Sequence, residues 1–147
     1  PIGGTFPVER ENNENFFHRV CVSHVGLRVA HNGRKDQMLT FAGQHLNVLS
    51  RFQIVATSTT GGILEEKLGL TVHRCLSGPL GGDLQIGAMV AEGSIAAVIF
   101  LRDPLTAHPH EPDILALMKV CDVHNVPLAT NLASAELLLS ALGGSGR

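Results

Sequence analysis

The chain has 147 residues, 44% of them hydrophobic, and a formal net charge of −2. It is long enough to bury a core as one domain without metal or disulfide staples. Its charge gives no electrostatic reason to expect nucleic acid, and no apolar run approaches the length of a membrane span. The cysteines Cys21, Cys75 and Cys121 are odd in number and lack the paired spacing of a zinc or redox motif, so reduced, mostly buried thiols in a cytoplasmic protein are expected.

Residues 1–22 read as a polar N-terminal extension without a signal-peptide core, residues 23–142 as the folded domain, and 143–147 as a flexible Gly-rich tail. Within the domain, apolar runs alternate with helix-length segments. Val25–Ala30 reads as a first strand, followed by a helix from about Lys35 to Val48. Phe52–Ala56 is a second strand and Gly61–Leu68 a short helix that Gly69 can stop. Thr71–Leu76 is a third strand, Asp83–Glu92 a helix ended by Gly93, and Ala96–Leu101 a fourth strand, apolar on both faces. Pro112 suits the first turn of a helix running to about His124; Val126–Ala129 is a fifth strand and Ala133–Leu142 a last helix. Five β-α units with uniformly apolar strands predict a parallel sheet covered on both faces, a three-layer α/β/α sandwich.

The polar residues gather where these strands end, which is where an open α/β sheet keeps its ligand site. Ser77-Gly78-Pro79-Leu80-Gly81-Gly82-Asp83 sets an acid behind a flexible glycine turn, where freed backbone amides can hold an anion and the carboxylate can move a proton. Thr57-Ser58-Thr59-Thr60-Gly61-Gly62 offers hydroxyls and amides suited to a phosphate monoester; a helix cap needs only one of those hydroxyls. No Walker lysine follows, which speaks against a nucleoside triphosphate. Lys35, four residues after His31, can add a cation from the first turn of its helix, although alone it would be a solvated surface lysine. Asp83 by itself could be an N-cap, Asp103 a turn former, and His110 with Asp113 a polar loop entering a helix. His108, His110 and Asp113 could also ligate a metal, but the paired helical histidines of a zinc hydrolase are missing and no metal is expected. His24, His45, His73 and His124 carry no supporting pattern. A phosphate cradle, a carboxylate base and a histidine that exchanges protons near neutral pH suit removal of a proton beside the carbonyl of a small phosphorylated ketone.

These residues resemble the methylglyoxal synthase family. The likeness rests on Ala30-His31 with Lys35, Ala56–Gly61, Ser77–Asp83, Asp103-Pro104-Leu105, Pro109–Asp113 and Pro127–Asn131, and runs from about Val25 to Leu142. It implies a lyase converting dihydroxyacetone phosphate to methylglyoxal and inorganic phosphate without metal or organic cofactor. It also implies a sheet ordered 3-2-1-4-5, a homohexamer and inhibition by phosphate. By the resemblance Asp83 is the acid/base, His110 polarises the carbonyl and relays protons, and Asp103 and Asp113 are supporting carboxylates. Lys35, Thr57, Ser58, Thr59, Thr60, Ser77 and Gly78 contact phosphate and substrate, and His31 lines the site. Asn32 stands where the family usually has Asp, and Ser58 where it has Gly. Family members often continue further and lend a basic residue to a neighbouring subunit; a chain stopping at Arg147 is expected to respond to phosphate without cooperativity. The competing reading is a binding module: the same fold serves as a regulatory domain in larger enzymes of carbamoyl phosphate and purine synthesis. Such a module needs the cradle but not Asp83, His110 and Asp113 together.

Overall fold

In the computed structural model, which describes residues 19–24, 32–103, 105 and 111–145, the strands form one parallel sheet. The elements are β1 (Arg19–His24), α1 (Asn32–Gln44), α2 (Leu46–Leu49), β2 (Gln53–Ala56), α3 (Ser58–Leu68), β3 (Val72–Arg74), α4 (Gly82–Ala91), β4 (Ala97–Leu101), α5 (Glu111–Val123), β5 (Leu128–Ala129) and α6 (Leu132–Ser145). The sheet order is β3-β2-β1-β4-β5, as the resemblance implied.

Pleating sends alternate residues of each strand to opposite faces, and each face has its own core. Val20 and Val22 join Ile54, Ala56, Ile99 and Leu101 beneath Met38, Phe41, Leu49, Leu64, Ala135 and Leu139, drawn from α1, α2, α3 and α6. On the other face Cys21, Val55, Val98 and Phe100 meet Ile86 and Val90 of α4 and Ile114, Leu117 and Cys121 of α5. This is the three-layer sandwich expected from strands that are apolar on both faces.

Several boundaries differ from the sequence reading. β1 is Arg19–His24 rather than Val25–Ala30, so the sheet begins inside the stretch read as an N-terminal extension. Each segment carries two valines, so local preference does not separate them. Pairing decides between them, because Val20 and Cys21 sit in register with both β2 and β4, and Val22 with β4. Val25–Ala30 lies outside the described residues. The helix expected over Lys35–Val48 breaks at His45, whose N–H is shared between the carbonyls of Phe41 and Ala42 at 3.2 and 3.3 Å. α6 continues through Gly143 to Ser145, where a flexible tail was expected. A Cβ on Gly143 would come 3.0 Å from Val48, and Arg51 donates to the Gly143 carbonyl at 3.3 Å, so glycine there permits close packing on α2. Gly69 does stop α3, in the left-handed conformation with φ 69°.

Candidate active site

All five strands run the same way, so the carboxyl ends of β1, β2, β3 and β4 share one edge of the sheet. The chain turns to opposite sides of β1, toward β2 and toward β4, which makes the crevice above this region the switch point of the fold. The Thr57–Thr60 turn, the Ser77–Asp83 segment and Asp103 are thereby brought to one edge.

α3 starts at Ser58, three residues earlier than Gly61, so Ser58, Thr59 and Thr60 form its first turn. The ladder begins with the Gly61 N–H donating to the Thr57 carbonyl at 2.8 Å, and the N–H groups of Ser58 and Thr59 precede it. Thr57 makes no side-chain cap. Its hydroxyl instead meets the Ser23 hydroxyl at 2.8 Å, and its N–H donates to the Ser23 Oγ at 3.1 Å. The four hydroxyls therefore differ: Thr57 and Thr60 are buried, Ser58 is half-buried and Thr59 is exposed. Ser23, fully buried at the end of β1, is a site-supporting residue that the sequence reading missed. Its signal was a hydroxyl directly after the apolar run Val20-Cys21-Val22.

The glycine turn is pinned rather than flexible. A 3₁₀ turn over Gly78–Leu80 leads to Gly81 at φ 104°, and α4 starts at Gly82. The Ser77 carbonyl accepts from both Leu80 and Gly82 at 3.0 Å, and Gln85 takes the Leu76 N–H at 2.7 Å. Ser77 and Gly78 are half-buried at the mouth of this turn. Asp83, 1% exposed, is the second residue of α4, and its Oδ2 is closed off from solvent. Helix N-terminal amides favour a negative charge there, while burial opposes it. The Cys21 thiol is pushed well above its ordinary range by its own burial first, then by Cys75 and Cys121, and then by Asp83.

Asp103 follows β4, half-buried, and its Oδ1 accepts the Leu105 N–H at 3.1 Å, an Asx turn. Asp113 sits half-buried in the first turn of α5. Arg102 donates to Glu111 Oε2 at 2.8 Å and so ties the end of β4 to the start of α5, joining the residue before Asp103 to the residue after His110. His31, His108 and His110 lie outside the described residues, as does the side chain of Lys35, which stands in the first turn of α1. His45, read as a bystander, pairs with Glu136 at 3.1 Å. Among the described residues no group of three His, Cys, Asp or Glu is placed to hold a metal, and no helix is long and apolar enough to cross a membrane.

The family model for the MGS-like domain matches residues 37–130, from α1 to the end of β5. The chain belongs to the methylglyoxal synthase family. It is 64% identical over 114 residues to the methylglyoxal synthase of Carboxydothermus hydrogenoformans, covering 78% of this chain and 94% of that one. Against the enzyme of the same name from Thermus thermophilus it is 61% identical over 112 residues, 76% of this chain and 89% of the relative. The crystal structure of methylglyoxal synthase from Elizabethkingia anophelis superposes with a TM-score of 0.73 at 38% identity, over 85% of this chain and 78% of that chain.

Proposed function

We propose that this protein is a methylglyoxal synthase, a lyase that converts dihydroxyacetone phosphate to methylglyoxal and inorganic phosphate. The observation that carries this reading is Asp83: a buried carboxylate at the start of α4, behind a pinned glycine turn, on the sheet edge that also holds the Thr57–Thr60 turn. A regulatory module of the same fold has use for the phosphate turn but none for such an acid.

The substrate phosphate rests on the first turn of α3, with Ser58, Thr59 and the α3 amides as donors. Lys35 supplies charge, Thr57 and Thr60 shape the turn from within, and Ser77, Gly78 and His31 close the site around the substrate. Asp83 removes a proton from the hydroxymethyl carbon, and the electron pair moves to the carbonyl to give an enediolate. His110 polarises that carbonyl and carries a proton between the two oxygens, with Asp103 and Asp113 supporting it. The enediolate then expels phosphate by breaking the C–O bond, which is easiest when that bond stands out of the enediolate plane. The enol product tautomerises to methylglyoxal. Inorganic phosphate, as the product that fits the same turn, competes with substrate.

We also place the protein in the cytoplasm, consistent with three unpaired, buried cysteines. We also propose a homohexamer, as the family resemblance implies. The deciding experiment incubates the protein with dihydroxyacetone phosphate and measures methylglyoxal and phosphate together. Equimolar appearance of both is expected; phosphate binding without turnover would favour the regulatory module.

A further inference from the structure

Arg74 ends β3 and lays its side chain across the start of α3. A Cβ on Gly61 would stand 2.6 Å from Arg74 Cγ, and one on Gly62 would stand 3.2 Å from Arg74 Nη2, so the two glycines form a bed for the arginine. From that bed Nη2 donates to Ser58 Oγ at 3.3 Å while Nη1 pairs with Glu65 Oε1 at 3.4 Å. Both acceptors belong to α3, one at its first residue and one two turns on.

A serine hydroxyl has one donor and two acceptor sites. When Arg74 occupies an acceptor site of Ser58, the hydroxyl proton is turned away from the guanidinium and is available to an anion over the first turn of α3. The Arg74 charge itself is shared with Glu65. We propose that Arg74 is a positioning residue for phosphate recognition, acting through Ser58 by orienting its hydroxyl as a donor to the substrate's phosphate. The proposal rests on the reading of this turn as the phosphate site. It gives the Ser58 hydroxyl a use: the hydroxyl and the arginine work as a unit.

The test compares Arg74→Met, Ser58→Ala and the double variant in the full chain. KM for dihydroxyacetone phosphate, kcat and the inhibition constant of inorganic phosphate are measured, with calorimetric titration of phosphate alongside. An exposed pair of this kind is worth little, so Arg74→Met should raise KM and the phosphate constant together by roughly twofold to fivefold, with kcat unchanged. In the Ser58→Ala background the same change should do nothing further. Unchanged constants in Arg74→Met, or effects that simply add in the double variant, would overturn the proposal. A purely structural role would instead lower kcat and stability alike. If Arg74→Met does not fold, Ser58→Ala keeps the arginine stem in place, and undiminished phosphate affinity in it would overturn the idea equally. Should the wild type make no methylglyoxal yet bind phosphate more tightly than Arg74→Met, the enzyme reading fails while the role of Arg74 stands.

Discussion

Replacing Gly82 by alanine is the sharpest probe of the turn that presents Asp83. The added methyl would overlap the Leu76 carbonyl oxygen and stand 2.8 Å from the Leu76 carbonyl carbon and 3.0 Å from the Ser77 oxygen. All three are backbone atoms, so no side chain can swing aside. Relief requires moving the Leu76–Ser77 peptide, which also strains the Gly82-to-Ser77 bond at 3.0 Å and the Leu76-to-Gln85 bond at 2.7 Å. Overpacking costs about 1–3 kcal/mol, and weakening two hydrogen bonds adds about 1 kcal/mol. The sum, about 3 kcal/mol, corresponds to a drop in Tm of roughly 6–12 °C for a chain of this size. Gly87 in the same helix is the control, because a Cβ there meets only Leu117 Cδ1, at 4.0 Å. Gly87→Ala should be neutral or stabilise by about 0.5–1 kcal/mol, the helix-propensity gain over glycine. Thermal and urea denaturation of both variants, with turnover on dihydroxyacetone phosphate, make the comparison. If Gly82→Ala melts with the wild type, or if Gly87→Ala is the worse of the two, the account of the turn is wrong.

Asp83→Asn should keep the fold and lose roughly 10²–10⁴ in kcat, the usual worth of a general base; near-wild-type turnover would remove Asp83 from that role. Arg102→Met breaks the 2.8 Å pair with Glu111. It should cost no more than about 1 kcal/mol of stability, since both partners are partly solvated, while kcat falls more than KM rises; an unchanged kcat would show that this clip does not position Asp103 or His110. Burial raises the Cys121 thiol from 9.0 to about 11, with Asp122 adding to it. Above 9.0 the unfolded chain gives up this proton before the folded one does, so stability should fall as pH climbs toward about 11. Urea midpoints across that window should show a shallower decline in Cys121→Ala, and equal slopes would contradict the burial argument. Thr59→Val should weaken inorganic phosphate and substrate to the same degree in competition assays; a change in only one would separate their sites.

Much of the architecture follows from local sequence alone. Apolar runs interrupted by helix-length segments specify a covered parallel sheet, because a strand buried on both faces has no polar side to show. Gly69 and Gly93, at φ 69° and 83°, end their helices where glycine spacing put them. The polar clusters after β2, β3 and β4 are legible as a site because the carboxyl ends of parallel strands necessarily share an edge. Other features are decided only by contacts distant in sequence. Whether Arg19–His24 or Val25–Ala30 becomes the central strand is a question of pairing with β2 and β4, and two neighbouring segments with two valines each have the same local preference. Gly143 and Gly144 look like a tail, yet packing of Gly143 against Val48 and capture of its carbonyl by Arg51 carry the helix onward. Nothing near Arg74 in the sequence marks it as a partner of Ser58, sixteen residues away. Ser23 and Thr57 meet across thirty-four. Periodicity reports which face of an element is buried; it carries no information about which side chain from another strand will be waiting there.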